Sequence, residues 1–149
     1  MNMPARSRSR SAARLGAVQA LYQREMEGTA TAKLLDEFHQ HRLGKEIEDD
    51  VYENAEIDFF DDLVSGVIAR QEEIDELLTS KLAEGWTLRR LDKTMLQILR
   101  AGAYELLARA DVPTAAAISE FVDVAHAFFE EREAKFVNGV LDAVAKAAR

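Results

Sequence analysis

The stretch that decides the fold is FDDLVSGVIARQEEIDELL, residues 60–78. Its apolar members Phe60, Leu63, Val64, Val67, Ile74 and Leu78 recur at three- and four-residue steps, the spacing of one helix face. The intervening acids and glutamine fall on the other faces. The same period continues in both directions, and strand alternation is almost absent. Toward the N-terminus, a helix is expected from about Ser11 to Glu27, with Leu15, Val18, Leu21 and Tyr22 as its stripe and Gly28 as its stop. A weaker one covers about Thr31 to Leu43. The acids between Glu46 and Glu53 mark the longest expected loop.

Toward the C-terminus, Gly85 breaks the pattern and Trp86-Thr87 opens a short turn, with Thr87 as its candidate cap. Asp92 is the expected N-cap of a helix running through Met95, Leu99, Gly102 and Leu106 to about Arg109. Pro113 suits the first turn of the next helix. The last helix presents Phe136, Val137, Val140, Leu141 and Val144. The reading is all-α: six to seven helices in one compact unit.

Composition closes off other classes. The 149 residues suffice for one ordinary domain. Without cysteine there is no disulfide framework, thiolate metal site or cysteine nucleophile. No apolar run is long enough to span a membrane, and a cytoplasmic protein is expected. His39 and His41 point about 200° apart on a helix, so they cannot share a metal there. His126 reads as a polar-face or partly buried structural histidine. No phosphate-binding glycine loop, nucleophile elbow or His-Glu-x-x-His run is present. The acid clusters Asp61-Asp62 and Glu72-Glu73-Asp75-Glu76 read as solvated helix faces. Neither an enzyme nor a cofactor is expected.

The net charge of −8 conceals an asymmetry. The first 24 residues hold Arg6, Arg8, Arg10, Arg14 and Arg24 and no acid, which leaves −13 on the other 125. Such a split hints at a basic arm on an acidic body. A transit peptide fits less well, because the arm runs directly into a helical pattern. Arg6, Arg10 and Arg14 are spaced by four and share a helix face that later becomes Ala17, Val18 and Leu21. That change of stripe implies first turns that project beyond the body. Guanidiniums are suited to phosphate, since each donates two hydrogen bonds in a plane. Tyr22 could pack inside or stack on a base.

Near the end stands Lys135-Phe136-Val137-Asn138-Gly139-Val140-Leu141-Asp142. A helical Gly139 costs on the order of 1 kcal/mol against alanine. Either a tight helix crossing or a close ligand backbone would offset it, with Lys135 and Asn138 as donors alongside. This stretch resembles the C-terminal signature of the NusB family, bacterial transcription antitermination factors. The family's other landmarks follow in order. They are Ala13-Arg14 with Ala17-Val18-Gln19-Ala20-Leu21-Tyr22, then Asp62-Leu63-Val64-Ser65-Gly66-Val67. Next come Ile98-Leu99-Arg100 with Tyr104-Glu105-Leu106, and last Asp111-Val112-Pro113 with Ala117-Ile118-Ser119-Glu120.

The resemblance implies a NusB-like all-helical fold of two packed halves. Residues 1–10 would form a flexible basic arm, 11–80 the N-terminal half and 86–149 the C-terminal half. It implies a non-enzymatic factor that binds boxA, a short single-stranded RNA element of ribosomal RNA leaders. It does so with NusE, a small-subunit ribosomal protein, in the antitermination complex of RNA polymerase. A homodimer is left open. Carried over by position, the RNA-facing residues are Arg10, Arg14, Tyr22, Arg100, Lys135 and Phe136. Arg132 joins them because it stands where some relatives carry an acid, so it replaces repulsion of RNA with attraction. Met95, Tyr104 and Glu105 are weaker candidates for a protein interface. Met95-Leu96-Gln97 departs from the charged pair common in the family, and Ser119 from a usual asparagine. Two other readings remain at this stage. One is the NusB-like module of a ribosomal RNA cytosine methyltransferase, which fits only if the chain is a fragment. The other is a helical protein adaptor.

Overall fold

A computed structural model describes the backbone of residues 5–41 and 50–149, and the side chains of residues 9–40 and 56–149. Seven α-helices make up the described residues: α1 (Ala5–Glu27), α2 (Thr31–His41), α3 (Asp50–Ala69), α4 (Gln71–Lys81), α5 (Lys93–Ala108), α6 (Thr114–Phe128) and α7 (Glu131–Ala148). A single 3-10 turn, Leu88–Arg90, precedes α5. The all-α reading and its helix number hold. The chain forms two compact units, residues 1–65 and 66–149, and α3 runs through the boundary.

In the first unit, α1 begins at Ala5, within the stretch expected to be a flexible arm. Its alternating serines and arginines include no helix breaker. The buried stripe of α1 is Ala13, Ala17, Val18, Ala20 and Leu21. Tyr22 lies off it, 40% exposed. On α2, Phe38 stacks on Phe60 of α3 with ring centroids 5.5 Å apart. Beside them His39 Nε2 meets Asp61 Oδ1 at 2.5 Å, so this histidine is engaged within the fold. Much of the acid-rich linker, residues 42–49, lies outside the described residues. Asp50 and Glu53 belong to α3 rather than to a loop.

The helix read over residues 60–78 is in fact two. Arg70 leaves helical geometry at φ −113°, ψ 20°, and separates α3 from α4. The backbone bonds Arg70 N–H to Gly66 O (3.0 Å) and Ile74 N–H to Arg70 O (2.9 Å) keep the four-residue register across the break. Apolar spacing is therefore unaffected, and periodicity could not reveal it.

The second unit is built around α5, whose residues Met95 to Leu106 are all buried. Helices α4, α6 and α7 pack against it. Gly102 permits the approach of α7: a methyl group there would lie 2.8 Å from Leu141 Cδ1. The expected Asp92 cap is present, its Oδ1 accepting from the N–H groups of Thr94 (2.8 Å) and Met95 (3.2 Å). Thr87 makes no side-chain cap, and the turn after it closes through backbone bonds alone. Pro113 stands at the N-cap of α6, one position earlier than expected. After α7, Arg149 donates to the carbonyls of Leu106, Arg109 and Val112 and to Thr114 Oγ1. It thereby ties the end of α5 to the start of α6.

Candidate nucleic-acid interface

Of the arginines in α1, the described side chains are Arg10, Arg14 and Arg24. Arg14 is 3% exposed and Arg10 half-buried. Their guanidiniums sit over the Phe59 ring of α3, at 4.6 Å for Arg10 and 5.0 Å for Arg14. Cation–π contacts of this kind stabilise by about 0.5–2 kcal/mol. The expected projection beyond the body therefore does not include Arg14, whose charge is held by an aromatic ring inside the first unit. Tyr22 lies on the surface of this helix, 40% exposed.

The second unit gathers three of the sequence candidates around one cavity of about 700 Å³. Met95 of α5 and Arg132 and Phe136 of α7 line it, together with Trp86, Arg90 and Phe129. Its lining is mostly apolar, with guanidiniums added. Arg132 is almost fully exposed and approaches Glu133 at 3.6 Å, a weak surface pair. Lys135 points to solvent next to Phe136.

Trp86 and Arg90 were missed as site residues. Gly85 adopts φ +87°, a conformation that favours glycine, and turns the chain so that Trp86 stands half-exposed beyond it. Arg90 reaches back from the 3-10 turn. Its Nη1 donates to Gly85 O at 2.9 Å, and its guanidinium lies 5.3 Å from the indole centroid. The signal in the sequence was a lone tryptophan after a glycine, with an arginine four residues on.

The remaining candidates lie elsewhere. Arg100 is 6% exposed. Its Nε and Nη2 donate to Asp75 Oδ1 and Oδ2, each at 2.9 Å. That bidentate pair joins α5 to α4. Tyr104 and Glu105 are 6% and 0% exposed, so neither presents its side chain at the surface of the second unit, and the tyrosine ring lies on Gly66. Met95 is also buried, though it forms part of the cavity wall. His126 is exposed and faces Glu131 at 3.7 Å.

Gly139 settles one alternative. It is exposed on α7, and nothing among the described residues comes within 4 Å of where a Cβ would sit. The tight helix crossing is absent, and Gly139 leaves a bare backbone patch about one helical turn after Lys135 and Phe136. Gly139→Ala is therefore expected to stabilise the protein by about 1 kcal/mol, raising Tm by about 2–4 °C. If the bare patch serves a bound backbone, affinity for that ligand falls as stability rises. Thermal denaturation and binding measured on the same variant check this, and an unchanged Tm would contradict the open geometry.

Residues 11–146 match the NusB family. A relative from Novosphingobium aromaticivorans, named transcription antitermination protein NusB, is 69% identical over 142 residues, covering 95% of this chain and 96% of its own. The fold is similar to a T. maritima NusB structure, with TM-score 0.78 and 31% identity over 100% of this chain and 96% of that one. It is also similar to a chain in a crystal structure of the antitermination factors NusB and NusE in complex with double-stranded RNA. There the TM-score is 0.77 and the identity 30%, over 94% of this chain and 98% of that one. With an all-helical fold and nearly the whole length matched, the chain belongs to the NusB family.

Proposed function

We propose that this protein is a transcription antitermination factor that binds boxA-type single-stranded RNA together with NusE, within the antitermination complex of RNA polymerase. The observation that carries this reading is the convergence of Arg132 and Phe136 with a half-exposed tryptophan at one cavity. Phosphate is met by exposed guanidiniums and unpaired bases by aromatic rings, the combination that single-stranded RNA requires. The related complex of NusB and NusE with double-stranded RNA supports NusE and RNA as the classes of partner. Lys135 extends the cationic rim, and Tyr22 with Arg10 offers a further contact on α1. Arg14 and Arg100 act by holding their own helices in place. No catalytic step is assigned, and the protein works in the cytoplasm. Among the described residues no helix is long and apolar enough to cross a membrane, and no three His, Asp or Glu residues gather as a metal site.

The test is affinity for a short boxA RNA with NusE present, compared with a scrambled RNA and with a duplex of the same sequence. Three to five phosphate contacts give a salt slope of about −2 to −4 for single strands. Arg132→Asp is expected to weaken boxA binding at low salt and to flatten that slope by about 0.7 for a lost contact. Arg132 is solvated, so stability should change little. Equal affinity for boxA and scrambled RNA would overturn the reading.

A further inference from the structure

We propose that Trp86 is the stacking platform for one unpaired base of the bound RNA, fixed in orientation by Arg90; this rests on the RNA-binding reading above. Three features of the ring support it. The indole is 50% exposed, and it lines the cavity that also contains Phe136. Its position is determined on two sides, by the Gly85 turn that presents it and by the guanidinium that covers part of it. Because Arg90 is itself hydrogen-bonded to Gly85 O, ring and guanidinium hold one another. A platform ordered in advance loses less entropy on binding.

The chemistry of the cavity selects the occupant. At about 700 Å³ it falls within the range of sites that enclose a small organic group. Its walls supply apolar and aromatic surface for a flat base, and Arg90 and Arg132 supply charge for the phosphates on either side. Of its two acids, Asp92 is engaged in capping α5. The other, Glu133, lies 3.6 Å from Arg132, and an apolar protein side chain would use the wall and make no use of the charge on Arg90. A paired base would have no free face to offer.

Trp86 is the only tryptophan in the chain, so its fluorescence reports on the platform directly. BoxA-type single-stranded RNA carrying a fluorescent label is titrated into the protein with NusE, and anisotropy and tryptophan emission are followed together. Trp86→Leu serves as the emission blank for NusE. The expected result is quenching of Trp86 that saturates with the anisotropy. Trp86→Leu should weaken RNA binding about ten- to a hundredfold, and Trp86→Phe should restore most of it. Circular dichroism of both variants should match the parent, since the ring is on the surface. Full-affinity RNA binding without quenching would overturn the platform and leave the function standing. So would a Trp86→Leu variant that loses NusE in the absence of RNA by the same factor. No change in anisotropy for the parent protein would overturn the RNA-binding reading itself.

Discussion

Replacing Gly66 with alanine is expected to destabilise the protein by about 2–3 kcal/mol, a fall in Tm of roughly 5–10 °C for a chain of this size. Helix propensity alone predicts the opposite sign, because alanine is favoured over glycine inside a helix by about 1 kcal/mol. Packing decides the matter. A methyl group at Gly66 would overlap Cζ, Cε1 and Oη of Tyr104. That ring is 6% exposed and belongs to the fully buried middle of α5, so it has little room to swing aside. In a dense interior even one added methylene is felt. Denaturant unfolding of Gly66→Ala, Tyr104→Leu and the double variant gives the coupling. The alanine should be markedly better tolerated once the ring is gone. Equal or greater stability of Gly66→Ala alone would show that the contact does not constrain the helix.

The same pair shows what was legible in the sequence. Ser65-Gly66-Val67 and Tyr104-Glu105-Leu106 stood out as landmarks, yet nothing in either spacing says that one fits into the other. Periodicity reports which face of a helix is apolar, and so the helices could be read from it, α3 and α4 as one, while residue type and position pointed to the Asp92 cap. It is blind to a change of direction that preserves register, which is why the break at Arg70 was missed. It is equally blind to contacts between elements far apart in sequence. Arg149 tying α5 to α6 is one such contact, and the arginines of α1 over Phe59 are another. In the candidate site, Phe136 could be carried over by position, Arg132 was added for its charge, and Met95 was read as a protein contact. Trp86 could not be carried over, because its role depends on a glycine turn and on the reach of Arg90. Gly139 was half legible: the cost of a helical glycine was plain, but only the structure shows that no helix comes close to it.

Arg100 is where charge counting and structure differ most, and its variants should show the second large effect. Arg100→Ala is expected to cost about 3 kcal/mol, because it leaves Asp75 between α4 and α5 without its bidentate partner. Asp75→Ala should cost at least as much, since it takes the bidentate pair from the more buried partner: the Arg100 side chain is 7% exposed against 27% for Asp75. The decisive comparison is Asp75→Asn, which keeps the size of the side chain and removes the carboxylate charge from the bidentate pair. Were Arg100 a phosphate contact, this change would strengthen RNA binding, and Arg100→Ala would flatten the salt slope by about 0.7. The geometry predicts otherwise: both variants lose stability, and the folded fraction of each keeps the parent salt slope. Chemical unfolding combined with RNA titration at several chloride concentrations separates the two. A flattened slope at undiminished stability in Arg100→Ala would return this arginine to the RNA surface.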